Sequence, residues 1–269
     1  MIKNIDPFII SEIGINHNGK LKDAYKLIDG SVRAGASAVK FQTYKTEKRV
    51  KKNSPIFDIL KKCELSYEDF KKIKKYCDKK KILFFSTPFD VESVFFLKRL
   101  GVKLFKVASF DISNFEILRA IAKTKIPTII STGMASKKEI DKAYKYFKSK
   151  KIKFSFLHCV SNYPNKEETS YLSCINYLNE KYNCPIGISD HTNDIATSVY
   201  GYLMGAKIIE KHFVTHSNYK CVDLPVSITE KQMSSLVRKI QHLKKVIGSP
   251  IFGNRKEEKN SYTFKRKKK

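Results

Sequence analysis

Gly187-Ile188-Ser189-Asp190-His191-Thr192 and Ile208-Ile209-Glu210-Lys211-His212-Phe213 decide how this chain is read. Each is a short apolar run that ends in residues able to do chemistry. Each has the length and composition of a buried parallel strand. One helix-length segment separates them, so they are expected to be neighbouring strands of a βαβ unit. That puts His191 and His212 side by side at the carboxyl ends of adjacent strands. Two imidazoles there can hold one divalent metal and leave positions for water and substrate. Glu210 and Lys211 read as a structural pair at the same rim. A lone strand histidine is more often structural, and for His17 and His158 the two readings stay open.

The same alternation runs outward in both directions. Residues 8–13, 38–42, 82–86, 104–108, 128–131, 154–159, 185–189 and 206–210 read as strands. Residues 22–34, 66–80, 91–100, 114–123, 136–148, 169–181, 194–204 and 229–246 have helical spacing, with Ser66 and Asp69 as a capping start. A longer insertion, 43–65, follows the second strand. Eight strands alternating with eight helices in roughly 250 residues is the arithmetic of an α/β (β/α)8 TIM barrel. A doubly wound sheet would be wide, and no strand is followed by GxGxxG. The barrel is expected over residues 1–250. Residues 251–269 are then a basic tail or shortened linker without fixed structure.

Composition narrows the class. Of 269 residues, 42% are hydrophobic, enough for a large core. No window holds the roughly 18 apolar residues of a membrane span. Met1-Ile2-Lys3-Asn4 leads almost at once into a strand, so no secretory signal is expected. Six scattered cysteines without CxxC fit a reduced, cytoplasmic protein. The formal charge is +27. Its lysines are spread over many helices, as in Lys71-Lys72-Ile73-Lys74-Lys75, which reads as a solvated surface rather than a nucleic-acid face. Such an excess also attracts small anions.

In a (β/α)8 barrel the active site forms where strands end. Polar residues gather at those positions: Glu12 and His17, Lys40 and Gln42, Thr87, Lys106 with Ser109 and Asp111, Ser131, His158 to Tyr163, and the two histidines. Strand side chains alternate, so Lys40 and Gln42 share the inner face. Two lysines in a barrel mouth call for an anion. Hydroxyls of Thr87, Ser109, Ser131 and Ser189 suit a phosphate or carboxylate cradle. Cys159 reads as buried packing, with no base beside it.

Six ordered motifs, Glu12-Ile13-Gly14-Ile15-Asn16-His17-Asn18-Gly19, Val39-Lys40-Phe41-Gln42, Ser86-Thr87-Pro88-Phe89-Asp90, Ser131-Thr132-Gly133-Met134, Ser189-Asp190-His191-Thr192 and Glu210-Lys211-His212-Phe213, together resemble the barrel domain of the sialic acid synthase family. The resemblance runs from about residue 8 to residue 248. It implies condensation of phosphoenolpyruvate with an N-acylated hexosamine, releasing phosphate. By the same resemblance His191 and His212 would ligate Mn2+ or Mg2+. Lys40, Gln42, Thr87, Lys106, Ser109, Ser131, Ser161, Tyr163 and Ser189 would bind substrate, chiefly phosphoenolpyruvate. Glu12 would move a proton, and Asp223 would hold the sugar. The enol carbon would attack the aldehyde, water would add to the oxocarbenium, and phosphate would leave. Asp111 stands where some members have Glu, so its catalytic or sugar-binding role needs the shorter arm to reach. Ser161 stands where some have Asn. Members commonly continue into an antifreeze-like domain that swaps within a homodimer and lends an arginine to the sugar site. This sequence stops near the start of that linker, at Phe264-Lys265-Arg266. The arginine is then expected to come from elsewhere, or sugar binding to be weak, or the chain to be shortened.

Other readings predict other features. A sugar-phosphate synthase or metal aldolase should carry extra Arg or Lys after strands six to eight, and Asn162-Tyr163-Pro164-Asn165 and Ser217-Asn218-Tyr219 carry none. A non-catalytic barrel would not keep Glu12, Lys40, Lys106, His191 and His212 together. A nucleic-acid binder would show steep salt-dependent retention of DNA.

Overall fold

The computed structural model describes residues 7–253 and 255–266. The Met1 to Asn4 lead-in and Lys267 to Lys269 of the basic tail lie outside the described residues.

Eight parallel strands close on themselves. They are β1 (Phe8–Gly14), β2 (Ala38–Thr43), β3 (Leu83–Pro88), β4 (Phe105–Val107), β5 (Thr128–Ser131), β6 (Phe154–Cys159), β7 (Ile186–Asp190) and β8 (Ile208–Phe213). They pair in chain order and β1 pairs with β8, so the sheet has no open edge there. The fold is therefore the (β/α)8 barrel read from the sequence. A two-residue strand, β9 (Ser227–Ile228), adds to β8.

The helices are α1 (Leu21–Arg33), α2 (Thr46–Arg49), α3 (Phe57–Cys63), α4 (Tyr67–Lys79), α5 (Val91–Arg99), α6 (Phe115–Thr124), α7 (Lys137–Ser149), α8 (Ser173–Lys181), α9 (Ala196–Leu203) and α10 (Glu230–Ile247). Three begin in complete capping boxes: Ser66 with Asp69, Ser136 with Glu139, and Thr229 with Gln232. Each side chain satisfies an orphan N–H of the first turn. Among the described residues no helix is long and apolar enough to cross a membrane.

The strand period explains where the chemistry sits. Side chains two apart on a strand share a face. Toward the amino ends the inward set is apolar: Phe8, Ile10, Ala38, Phe85, Leu104, Ile129, Leu157 and Ile208 form one sealed cluster. Two residues further along these seven strands the inward set is Glu12, Lys40, Thr87, Lys106, Ser131, Cys159 and Glu210, all but the cysteine polar or charged. The helix-facing side chains form the larger core. At Gly187 there is room for no side chain, since a Cβ would lie 2.3 Å from the Ile208 carbonyl oxygen. Gly14 (φ +53°) marks a bulge in β1 after Glu12. Such a bulge re-aims a strand end.

The insertion over residues 43–65 has structure the sequence did not announce. It forms α2 and α3 and a small cluster of Ile15, Tyr44, Leu60 and Cys63 over the mouth. Past α10, Lys256–Phe264 forms a 3-10 helix with no buried residue.

Candidate active site

One cavity of about 190 Å³ opens at the carboxyl ends of the strands. Its floor is a chain of buried charges. Lys40 Nζ lies 2.7 Å from Glu12 Oε2 and 3.6 Å from Glu210 Oε2, and Lys106 Nζ lies 3.5 Å from Glu210 Oε1. Lys106 also donates to Ser131 Oγ (2.7 Å), Lys40 to Thr87 Oγ1 (3.3 Å), and Ser189 to Glu210 Oε1 (2.9 Å). Both Glu12 Oε2 and Glu210 Oε2 lack hydrogen-bond geometry to any partner, so the lysines hold them as ion pairs.

The two lysines are not equivalent. Burial depresses Lys40, but Glu12 and Glu210 outweigh it and raise its pKa above the ordinary value. Burial also depresses Lys106, and there Glu210 fails to offset it while Lys40 adds repulsion. Lys106 is thus the less compensated ammonium, and an incoming anion relieves it. Burial pushes the Glu12 carboxyl up despite Lys40. Glu210 feels the same burial, but Lys106 and Lys40 hold it below the usual carboxylate range.

Glu210 and Lys211 are not a pair. Neighbours on a strand point to opposite faces. Glu210 faces the cavity as counter-ion to both lysines. Lys211 faces the helices, fully buried, 3.2 Å from Asp190 Oδ2 and on the Thr192 carbonyl and hydroxyl. Asp190 in turn accepts from Thr192 N, Thr192 Oγ1 and Ser198 Oγ. Asp190 and Lys211 are opposite each other across β7 and β8, and each precedes one of the histidines. This pair therefore ties the two strand ends together behind the site. Asp190→Ala strands a buried ammonium, and stability falls by about 3–5 kcal/mol. Thermal unfolding should show it as a Tm drop of roughly 6–20 °C. Lys211→Met in the same chain should restore much of the loss, because the unpaired charge is then gone.

His191 and His212 have ring centroids 5.6 Å apart. His191 Nδ1–H donates to Val160 O (2.8 Å), which fixes the tautomer and leaves Nε2 as the lone-pair nitrogen, 3.5 Å from Ser189 Oγ. His212 Nδ1 faces Asp223 Oδ2 at 3.4 Å. Burial and the neighbouring His212 lower His191 to about 4. Burial also opposes the charge on His212, but Asp223 outweighs it and raises the pKa. The Tyr163 ring lies 4.1 Å from that of His191, centroid to centroid. Among the described residues no three His, Cys, Asp or Glu side chains form a closed metal site. The donors present are two imidazoles, one oriented by a backbone carbonyl and the other backed by a carboxylate. That set fits an open divalent site completed by water and substrate.

The cavity gathers Glu12, Lys40, Gln42, Thr87, Lys106, Ser109, Ser131, Ser161, Tyr163, Ser189, His191, His212 and Asp223. Gly133 leaves space on the β5 and β6 side, since a Cβ would lie 2.5 Å from Ser161 Oγ and 2.6 Å from Cys159 Sγ. Cys159 lines the cavity and contacts Ser109 Oγ at 3.0 Å. Asp111 does not line it. It ends the 3-10 turn Ser109–Asp111 and accepts from Asn114 Nδ2 (2.9 Å), while Phe110 faces the mouth. His17 and His158 are structural. His17 Nδ1 accepts from Gly19 N and its ring stacks on Phe41, and His158 Nε2–H donates to Ser170 O.

Sequence reading missed Arg49, Phe89 and Phe110, which also line the cavity. Phe89 stands within Ser86-Thr87-Pro88-Phe89-Asp90, after the polar end of β3. Arg49 lies in the aperiodic insertion, where no strand or helix period marks a face.

Residues 27–252 match the model of the NeuB family. The chain is 38% identical to the N-acetylneuraminic acid (sialic acid) synthetase of Leptospira borgpetersenii, solved in complex with citrate, over 96% of this chain and 91% of that one, with a TM-score of 0.93. It is 36% identical to the N,N'-diacetyllegionaminic acid synthase of Legionella pneumophila, over 90% of this chain and 73% of that protein. It is 34% identical to a pseudaminic acid synthase of Campylobacter jejuni, over 90% of this chain and 75% of that protein. A family match across most of the barrel, with relatives of this similarity along nearly its whole length, makes the chain a member of the NeuB family.

Proposed function

We propose that this chain condenses phosphoenolpyruvate with an N-acylated amino sugar, giving a sialic-acid-like 2-keto sugar acid and inorganic phosphate. The observation that carries the reading is the cavity floor. Two buried lysines stand among hydroxyls, directly beside a pair of histidines, in a chain of this family. Lys106 and Lys40 bind the anionic substrate, with Gln42, Thr87, Ser109, Ser131, Ser161 and Ser189 supplying neutral donors. Tyr163, over the histidine pair, walls the site on the β6 side. Glu12, its carboxyl raised by burial, holds or moves a proton beside Lys40. Asp223 orients His212, lines the cavity and is assigned to hold the sugar. Asp111 acts indirectly, through Asn114 and the turn it ends.

His191 and His212 are assigned as ligands of a divalent ion, Mn2+ or Mg2+. When bound, that ion supplies Lewis acidity at the sugar's carbonyl oxygen. Six free cysteines support a reducing compartment, the cytoplasm.

Mass spectrometry of the product tests the reaction. Incubation with phosphoenolpyruvate, Mn2+ and a panel of N-acylated hexosamines should give a product equal in mass to one sugar plus pyruvate. Free pyruvate and unchanged sugar would mean hydrolysis without condensation, and the proposal would fall.

A further inference from the structure

Arg49 closes α2 at the edge of the cavity, and its surroundings are built to hold it still. Its guanidinium carbon lies 3.8 Å from the Phe89 ring centroid and 4.7 Å from that of Tyr44. Nη1–H donates to Gln42 Oε1 at 2.9 Å. A guanidinium carries five N–H donors, so most of them remain for a ligand.

The charges around it are uneven. On the floor, Lys40 and Lys106 are matched by Glu12 and Glu210. Among the described residues Arg49 makes no ion pair, and Asp111 and Asp223 act on it only from a distance. Burial accordingly pushes it below the ordinary arginine range. Phosphoenolpyruvate carries both a carboxylate and a phosphate, so a neutral floor leaves it short of positive charge. Arg49 is the cavity-lining cation that can make up the difference. Its bond to Gln42 has a second effect. With the amide oxygen occupied, Gln42 Nε2 is left as a donor. That nitrogen, Glu12 Oε1 and Asp223 Oδ2 all converge on the space beside Gly14, at 3.4, 3.0 and 3.4 Å from where a Cβ would stand.

We infer that Arg49 binds phosphoenolpyruvate: its guanidinium takes an anionic oxygen of that substrate at the β2 and β3 side of the mouth, and it fixes Gln42 with its N–H groups toward the reacting centre. The inference rests on the proposed function.

The test compares wild type, Arg49→Met and Arg49→Lys. Phosphoenolpyruvate binding is measured by calorimetry, and Michaelis constants are measured for both substrates. Arg49→Met should weaken phosphoenolpyruvate binding by about 10- to 100-fold, as loss of a charged hydrogen bond does. The Michaelis constant for the sugar should stay within about 2- to 3-fold, since no charged contact to it is lost. Arg49→Lys should recover part of the affinity, because it keeps the charge and loses the fork. A merely structural arginine stacked on Phe89 would lower Tm and leave this split between substrates unchanged. Unaltered phosphoenolpyruvate affinity, or a rise confined to the sugar, overturns the inference and leaves the proposed function standing. If Arg49→Met does not fold, Arg49→Lys with wild-type affinity overturns it equally. A wild type that binds no phosphoenolpyruvate overturns both.

Discussion

Lys106→Met is expected to fold and to lose phosphate release by roughly 100- to 1,000-fold, the scale of removing one buried charged donor at a reacting centre. Methionine keeps the stem that packs through the apolar part of β4. It removes the ammonium that touches Ser131 Oγ and faces Glu210. Glu210 keeps Lys40 at 3.6 Å and the Ser189 hydroxyl, so the free protein loses one partner of three. The floor, however, turns from balanced to net negative, and it then repels the anion it should hold. Steady-state phosphate release, with circular dichroism to show that the variant is folded, separates the two effects. Near-wild-type turnover in a folded Lys106→Met would remove Lys106 from the substrate site.

The second large effect is expected at His191. Its tautomer is fixed by the Val160 carbonyl, which leaves Nε2 unprotonated beside Ser189 on the cavity side. Losing a partner behind a metal ligand costs about 10–100-fold in affinity, so losing the ligand itself should cost roughly 100-fold or more. Titration of free Mn2+ by electron paramagnetic resonance should show that loss in His191→Ala, without any substrate present. Chelation should abolish turnover of the wild type, and Mn2+ should restore it. Equal Mn2+ affinity in His191→Ala and wild type would move the metal elsewhere or remove it.

The fold was legible because eight short apolar runs alternate with helix-length segments, a pattern that local sequence carries. The strand period put Lys40 and Gln42 on one inner face, and the structure adds the apolar layer beneath, with Ile10 below Glu12, Ala38 below Lys40, Leu104 below Lys106 and Ile129 below Ser131. The histidine pair was legible because each histidine ends one of two neighbouring strand-like runs, and the structure shows that they continue the inward faces of Ser189 and Glu210. Glu210 and Lys211 do not pair, because adjacent strand residues point to opposite faces. Lys211 instead clamps Asp190 from behind, a contact between residues 21 apart in sequence that only the β7 and β8 register reveals. Arg49 was illegible for a different reason. It sits in a segment with neither period, and its orientation comes from stacking on Phe89 and Tyr44, tertiary contacts that no local pattern encodes. Asp111 is expected in the site from its place after strand four and from the family resemblance, and it does not line the cavity. The short 3-10 turn after β4 turns Phe110 to the cavity in its place.

The most direct measurement is inorganic phosphate release from phosphoenolpyruvate by the purified wild type, with Mn2+, in the presence and absence of an N-acylated hexosamine. The account predicts release that needs both the sugar and the metal and yields one phosphate per sugar consumed. Release that ignores the sugar, or none with any acylated hexosamine despite a folded chain, would contradict it.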